Sequence, residues 1–308
     1  MKYYTPLPLI ALAISCAFAQ TGPVSYEWTA TMKVVDEDGN PISGAKADIG
    51  YYAHSQPAND LGLTDTNGIF TTSHSALSTL VEVSLQADRS GYYTTWVERM
   101  LPQKYDPAQW SYTQTLVLKK VRQPIAMYAK YITHGPPVFN TPVGYDLMVG
   151  DWVAPNGKGM TTDIIFNGKL DKKAKDDFDY TLTVSFPKPG DGIQEFTVPD
   201  SEKGSGLRSP HEAPTNGYQA QVVKTMSRHP GQGTKEDMND PNRNYFFRAR
   251  TVLDENGNVI NAYYGKIYGD FMQFTYYLNP TPNSHNIEFD PKQNLLNTGH
   301  GDIKVNAP

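Results

Sequence analysis

Cysteine is nearly absent from this 308-residue chain, which contains only Cys16. A disulfide framework is therefore excluded, and the fold must be stabilised by core packing. Apolar runs of about 18 residues are also lacking, and no stretch repeats apolar residues at helical spacing. Charged residues make up 19% of the sequence and the formal net charge is −5, which disfavours nucleic acid and anionic membranes as partners.

The N-terminus has the features of an export signal. Residues 7–18 are apolar, and residues 17–19 read AFA, the small-x-small pattern of a cleavage site. Cleavage after this motif makes residues 1–19 a signal peptide and removes Cys16. The alternative is a lipoprotein that carries its lipid on Cys16, although the preceding AIS is a poor lipobox. We expect an exported protein that is periplasmic, cell-surface or extracellular, without a transmembrane segment in the mature chain.

Turn formers and aromatic residues are abundant instead. The chain contains 25 Gly, 23 Pro and 20 Tyr, a composition typical of many short strands joined by turns. At about 150 residues per domain, the length predicts two domains. A run of strands ends near Lys120 and Pro124 follows, so we expect domains at residues 24–120 and 125–308. The predicted fold class is all-β, with two β-sandwiches in tandem.

Strand and turn signals alternate through the first domain. Residues 80–85 alternate apolar and polar side chains, as expected for a half-buried strand. Residues 36–41 form a dense turn signal in which Gly39 can adopt a positive φ. The predicted strands are 28–35, 45–52, 80–85 and 114–118.

Three segments of this domain resemble a known family. Residues 35–45 (VDEDGNPISGA) are similar to the opening hairpin of carboxypeptidase regulatory-like domains, and residues 64–70 (TDTNGIF) are similar to their second signature. Residues 91–93 (GYY) are a third, weaker match. The resemblance covers roughly a third of the chain and implies a prealbumin-like sandwich of about seven strands. It implies no catalytic residue, because the matched positions are turn and strand residues.

The family name raises the question of a zinc peptidase. Such an enzyme needs a His-x-x-Glu pair and a distant third His on a large catalytic domain. His285 and Glu288 have the pair spacing, but His300 is the only histidine that follows, and no room remains for a catalytic domain. The sequence therefore favours a solvated loop at this position.

The second domain is also β in character. Residues 187–244 are rich in Gly, Pro, Ser, Asn and charge, which predicts a long loop, either functional or disordered. Residues 167–177 are predicted as a charged loop, and residues 254–258 (DENGN) as a hairpin turn. The predicted strands are 161–166, 179–186, 245–253, 259–268 and 271–278. This domain resembles no characterised family.

Catalytic and cofactor motifs are missing. The sequence has no Gly-x-Ser-x-Gly elbow, no His-Glu-x-x-His, no phosphate-binding loop and no dinucleotide fingerprint. It therefore identifies no catalytic residue, no metal ligand and no cofactor. An acidic run is interrupted by lysines, which favours a solvated loop over a calcium site. Its acids are Asp171, Asp176, Asp177 and Asp179.

Two sets of side chains in the second domain are candidates for a site. Acids in or near residues 187–244 could supply the carboxylate pair, about 5 to 10 Å apart, that glycoside hydrolysis needs; they are Asp191, Glu195, Asp200, Glu202 and Glu212. Aromatic residues could form an exposed platform for sugar rings or a protein partner. The alternative is that tyrosine pairs on strands place one ring in the core and one outside. These aromatics are Trp152, Tyr245, Tyr263, Tyr264, Tyr268, Tyr276 and Tyr277.

Three functions remain open. The first is an exported, non-enzymatic protein that binds a glycan or another protein at the cell envelope. The second is a polysaccharide-degrading glycosidase or lyase with its site in the second domain, and the third is a structural envelope component. An exposed aromatic strip favours the first, convergent carboxylates in a cleft favour the second, and a flat unpaired edge strand favours the third. The partners we expect are a polysaccharide or another envelope protein.

Overall fold

The computed structural model describes residues 25–53, 56–77, 79, 81–238, 240, 243–296 and 304–308. The predicted signal peptide, with Cys16, lies outside these residues. Within the described ranges the chain is all-β, with 19 strands in four sheets. The predicted fold class of β-sandwiches in tandem is confirmed. In the same ranges, no helix is long and apolar enough to cross a membrane.

The first sandwich consists of two sheets with the strand orders β4-β1-β7 and β3-β2-β5-β6. Its seven described strands are β1 (Tyr26–Val35), β2 (Lys46–Ala53), β3 (Gln56–Leu63), β4 (Ile69–Ala76), β5 (Val81–Asp88), β6 (Thr95–Met100) and β7 (Ser111–Val117). Alternate residues of β1, from Trp28 to Val34, are buried between the sheets. They pack against Ile49, Val83 and Leu85 from the facing sheet. The strand number agrees with the sequence prediction.

Two predicted turns share one geometry. Asp36 Oδ1 accepts the backbone N–H of Asn40 at 2.8 Å, and Asp254 Oδ1 accepts that of Asn258 at 2.8 Å. The glycine before each asparagine has a φ of 82°, in the left-handed region that glycine adopts without steric cost. Both loops are therefore closed by local side-chain chemistry that the sequence shows directly.

The second sandwich consists of two six-stranded sheets, with the orders β10-β9-β11-β12-β14-β15 and β13-β16-β17-β18-β8-β19. Its described strands are β8 (Ile125–Ile132), β9 (Val143–Asp146), β10 (Asp151–Trp152), β11 (Ile164–Ala174), β12 (Asp177–Ser185), β13 (Gly192–Thr197), β14 (Gln221–Arg228), β15 (Lys235–Glu236), β16 (Arg243–Leu253), β17 (Val259–Tyr268), β18 (Phe274–Leu278) and β19 (Phe289–Asn294).

Two loop predictions for this region are wrong in part. Residues 167–177 continue β11 as far as Ala174, and its outer end is solvent-exposed, which explains the charged composition. Within residues 187–244, β13 pairs with β16 and β14 pairs with β12, so part of the predicted long loop lies in sheets. The segment between β13 and β14 remains irregular, as predicted.

The sheet that contains β16, β17 and β18 is covered on both faces. One core, between the two sheets, includes Tyr276 and Leu278. A second core covers the opposite face and includes Tyr264 and Tyr277. Successive residues of a strand point to opposite faces, so Tyr276 and Tyr277 are both buried, with 0% and 1% of their surfaces exposed. Double coverage explains the continuous apolar runs of these strands.

A buried carboxylate links the two sandwiches. Glu288, 1% exposed, accepts hydrogen bonds from the Tyr93 hydroxyl at 2.7 Å and from the backbone N–H groups of Arg122 and Gln123 at 2.9 and 2.7 Å. Tyr93 lies between β5 and β6, and the two amides lie in the connection from β7 to β8. The domain limits 24–120 and 125–308 stay a prediction.

Candidate functional site

The predicted aromatic platform lies in the cores. Tyr245, Tyr264, Tyr268, Tyr276 and Tyr277 are buried, and Trp152 and Tyr263 are half-buried against one of the cores. The alternative of one tyrosine inside and one outside is also incorrect for the 276–277 pair, because each ring enters a different core. Large exposed aromatics are found elsewhere among the described residues, at Tyr52, Trp96 and Phe139.

Among the described residues, the side chains of four of the five candidate acids of the predicted glycosidase have a partner, and Glu212 is held only through its backbone. Asp191 is the most buried of them, and burial raises the pKa of its carboxyl. Its oxygens accept the backbone N–H groups of Thr251 at 2.7 Å and Arg250 at 3.1 Å, so the carboxylate fixes the bulged end of β16. The others are Glu195 near Arg243 at 3.3 Å, Asp200 with Lys203 at 2.5 Å, Glu202 with Lys119 at 2.7 Å, and Glu212 in a β-bridge with Asn286.

The His-x-x-Glu pair is also engaged in structural contacts. His285 Nδ1 lies 2.8 Å from the Ala213 carbonyl oxygen, and its ring lies 3.8 Å from that of Tyr264. Glu288 accepts the three hydrogen bonds described above. Asp171 and Asp179 face each other across the β11–β12 hairpin. In the residues that the structure describes, no group of three or more His, Cys, Asp or Glu side chains could hold a metal ion.

Four cavities lined by described residues adjoin one another, and together they are called the groove below. Their volumes are about 360, 730, 810 and 290 Å³ in order along the molecule. Glu98 lines the first and second, Arg208 and Ala307 line the second and third, and Tyr131 and His134 line the third and fourth. The groove starts on the first sandwich and ends on the second.

Every cavity of the groove has an aromatic side chain in its wall. Tyr52 lines the first cavity, Trp96 the second, Tyr131 the third and fourth, and Trp152 the fourth. Tyr52 and Trp96 have 49% and 50% of their surfaces exposed, so their ring faces are accessible to a ligand. Polar planar groups also line the second cavity, notably Arg99 and Gln114.

The first cavity is a trough on the outer face of the β3-β2-β5-β6 sheet. Gly50 lies opposite Ser84, and Ser84 lies opposite Glu98, so small side chains form its floor. A Cβ added to Gly50 would lie 2.5 Å from Ser84 Oγ, which shows how closely these strands approach. The neighbouring Glu82 carboxylate raises the pKa of the Glu98 carboxyl, because it accepts a hydrogen bond from the protonated form of Glu98 and repels the ionised form. This end of the groove is therefore acidic.

Two arginines stand in the middle of the groove, stacked on tyrosine rings. The Arg99 guanidinium lies 5.0 Å from the centroid of Tyr112, and that of Arg208 lies 5.5 Å from the centroid of Tyr268. Both arginines are exposed. In the ranges that the structure describes, neither forms an ion pair with a carboxylate, although Glu98 and Asp200 line the second cavity with them.

A segment from the second sandwich closes the wall of the second cavity. The Trp96 amide donates to the Gly204 carbonyl at 3.1 Å, and the Gly206 amide donates to the Thr94 carbonyl at 2.8 Å. Glu202 pairs with Lys119, whose side chain is 5% exposed. These contacts occupy the outer edge of β6 at this point. They also attach part of the predicted long loop to the first sandwich.

Sequence reasoning missed the groove residues Tyr52, Trp96, Arg99 and Arg208. No local signal identifies Trp96, because the polar Thr95 is buried and the apolar Trp96 is exposed, the reverse of what their hydrophobicity predicts. No local signal identifies Arg208, which reaches the groove through the docking of its segment on another part of the fold.

Comparison with known proteins does not place the chain in a family. No family model and no curated protein matches it. Among solved structures, it is similar to a streptococcal ancillary pilin, with 14% identity over 67% of this chain and 60% of that one, and a TM-score of 0.24. It is also similar to the shaft pilin spaA of Lactobacillus rhamnosus GG, with 13% identity over 80% of this chain and 94% of that one, and a TM-score of 0.24.

A further similar structure is a DUF3823 family protein from Parabacteroides merdae, with 9% identity over 86% of this chain and 99% of that one, and a TM-score of 0.21. Similarity this weak assigns no function to the chain. The carboxypeptidase regulatory-like resemblance of the first domain stays a prediction.

Proposed function

We propose that the protein is an exported, non-enzymatic binding protein of the cell envelope whose ligand is a polysaccharide lying along the groove. The observation that carries this proposal is the chain of four adjoining cavities that runs from one sandwich to the other. A small ligand fills one such cavity, whereas a linear polymer contacts all of them.

The chemistry of the second cavity supports a sugar ligand. Tyrosine and tryptophan present large, rigid apolar faces, on which the C–H faces of sugar rings stack. Glu98, Arg99 and Gln114 line the same cavity as Trp96 and can exchange hydrogen bonds with the hydroxyls of a sugar ring. Apolar faces combined with a few convergent polar groups are typical of binding sites that recognise an oriented ligand.

The edge of β6 supports a polysaccharide over a protein strand. A peptide that joins a sheet needs a row of free backbone N–H and C=O groups. Next to the groove, the backbone groups of Thr94 and Trp96 are already bonded to residues 204–206. A ligand at this point must therefore bind through side chains.

The carboxylates in the groove support binding without cleavage. Glu82 raises the pKa of the Glu98 carboxyl, which indicates that the two carboxyl groups are close neighbours, whereas retaining and inverting glycosidases separate their two carboxyl groups by about 5 Å or more. Of the acids around residues 187–244, Asp191, Glu195, Asp200 and Glu202 are engaged by separate partners.

A combined binding and cleavage screen tests the proposal. The purified chain from Gln20 onward is incubated with a panel of polysaccharides, and bound protein and released reducing ends are measured in the same wells. We expect retention on at least one polysaccharide without release. Trp96→Ala should weaken that retention by about tenfold, because it removes a central aromatic anchor. Val223→Ala, which changes a 45% exposed side chain outside the groove, should leave it unchanged.

The other outcomes are equally informative. Release of reducing ends would establish the polysaccharide-degrading alternative. Failure to bind any polysaccharide would refute a carbohydrate ligand and leave an envelope-protein partner or a structural role.

A further inference from the structure

We infer that the groove selects polysaccharides that carry anionic groups, either uronate carboxylates or sulfate esters, and that Arg99 and Arg208 bind those groups. This inference rests on the proposed binding function and names the class of its ligand.

The geometry of the two arginines suits anion binding. Each guanidinium lies over a tyrosine ring, Arg99 at 5.0 Å from Tyr112 and Arg208 at 5.5 Å from Tyr268. Stacking restricts the guanidinium plane and leaves N–H groups at its edge for a bidentate contact with a carboxylate or a sulfate. A planar fork that is held in place loses less conformational entropy when it binds than a free one does.

Two other arginines of the second sandwich are paired with carboxylates. Arg243 lies 2.7 Å from Asp237, and Arg250 lies 2.8 Å from Asp163. In the same groove wall, Lys203 lies 2.5 Å from Asp200. The chain has a net charge of −5 and therefore carries more carboxylates than cations. Arg89 and Arg248 also lack a described carboxylate partner, but they donate to backbone carbonyls. Among the described residues, Arg99 and Arg208 neither pair with a carboxylate nor donate to a backbone carbonyl, and both line the second cavity.

The positions of the arginines favour a polymer with repeated charges. Arg99 lines the second cavity, and Arg208 lines both the second and the third. A chain that follows the groove passes both side chains in succession. A polyanion that follows the groove supplies a charged group to each of them.

Matched pairs of polymers test the inference. Polygalacturonate is compared with its fully methyl-esterified form, which has the same backbone without the charge, and dextran sulfate is compared with dextran. Binding of the purified chain is measured by affinity electrophoresis and calorimetry at low and high salt. The variants are Arg99→Gln, Arg208→Gln and, as a control with the same charge change, Arg228→Gln, whose side chain pairs with Asp176 outside the groove.

We expect a charged polymer to bind about tenfold or more tightly than its neutral counterpart, with an advantage that shrinks at high salt. Each groove arginine variant should remove most of this advantage, and Arg228→Gln should retain it. A preference confined to polygalacturonate assigns a uronate ligand, and one confined to dextran sulfate assigns a sulfated ligand. In contrast, Trp96→Ala should weaken the binding of charged and neutral polymers to the same extent.

Two results would overturn the inference. Equal affinity for the charged and neutral polymers would refute anion selection while leaving polysaccharide binding intact. Charge selection that survives in both groove variants would refute the role of Arg99 and Arg208. If no polymer of either kind binds, the proposed function fails and this inference fails with it.

Discussion

The backbone amide of Trp96 donates a hydrogen bond to the carbonyl oxygen of Gly204 at 3.1 Å. Trp96 belongs to the edge strand β6 of the first sandwich, and Gly204 belongs to the segment between β13 and β14 of the second. Because Trp96 also lines the groove, the bond that attaches this segment sets the position of an exposed aromatic ring. The wall of the groove and the contact between the sandwiches are therefore the same structural element.

Replacing Gly204 should disturb both the groove wall and the contact between the two sandwiches. In Gly204→Ala, the added Cβ would lie 1.4 Å from the Trp96 carbonyl oxygen, so the segment must move away from β6. We expect a loss of stability of about 1–3 kcal/mol, as for other overpacked positions, together with weaker polysaccharide binding. Gly233→Ala is the matched control, since a Cβ there meets nothing within 4 Å. Urea denaturation measures the loss of stability, and the polysaccharide-binding assay measures the loss of affinity. Equal stability and affinity of the Gly204→Ala and Gly233→Ala variants would contradict the close contact between Gly204 and β6.

The Arg250–Asp163 pair should be a major contributor to the stability of the second sandwich. Arg250 Nε and Nη2 donate to the two oxygens of Asp163 at 2.8 and 2.9 Å, and Asp163 is 1% exposed. Arg250→Met leaves this carboxylate buried without its cation, which we expect to cost about 3–5 kcal/mol. Arg228→Met, which breaks an exposed pair with Asp176, should cost less than about 1 kcal/mol. Urea denaturation compares the two variants, and similar losses would refute this ranking.

The Glu288 carboxylate should hold the connection between the sandwiches in place. Glu288→Gln replaces one acceptor oxygen by an amide donor that faces existing N–H and O–H donors. We expect a destabilisation of about 1–3 kcal/mol and faster proteolysis near residues 121–124. Glu255→Gln, at an exposed turn, should behave as the unaltered protein does. Limited proteolysis with mass spectrometry locates the cut; cleavage elsewhere would contradict this assignment.

Asp60 should make the first sandwich sensitive to acid. Hydrogen bonds from Thr72 and His74 lower the pKa of its carboxyl. The stabilisation is complete above the ordinary carboxyl pKa of about 3.9 and is lost as the pH falls through the lowered value. Asp60→Asn should therefore lower the melting temperature at about pH 7 and make much less difference at about pH 2. A melting temperature that stays equally reduced at both pH values would show that the carboxylate charge is not involved.

The acidic end of the groove should oppose a polyanion. Glu98 and Glu82 lie next to the cavity that contains Arg99. Glu98→Gln removes one negative charge, so binding of an anionic polysaccharide should strengthen by roughly two- to fivefold at low salt. Affinity electrophoresis at low and high salt measures the change. An unchanged affinity would place the polymer away from the first cavity.

The β-sandwiches could be predicted from the sequence because their causes are local. Alternation in β1 and β5 follows directly from the two-residue period of a strand, and Asp36 and Asp254 close their turns with their own side chains. Strand β14 could not be predicted in this way. Its inward Lys224 is 3% exposed and lies 5.7 Å from the Tyr245 ring and 3.7 Å from Glu195. Because Lys224 is buried by residues that are distant in sequence, its polar side chain makes this segment look like a loop when the sequence is read alone.

The groove could be predicted even less well, because exposure depends on long-range contacts. In the sequence, Tyr276 and Tyr277 look like part of an exposed binding platform. In the structure, Ile287 and Phe289 belong to the core that covers the second face of their sheet. Trp96 is exposed because of the register between β5 and β6, which places it opposite Gln86 on the outer face. Neither fact can be read from neighbours along the chain.

The doubly covered sheet also affects how this protein can change in evolution. Tyr276, Tyr277 and Leu278 are successive residues with no more than 1% of their surfaces exposed. A substitution at any of them alters the volume of one core or the other, and a compensating change must then occur on a separate element. Neutral sequence drift is therefore confined mainly to the turns and to the rim of the groove, so ligand preference can diverge while the sheet beneath it stays nearly constant.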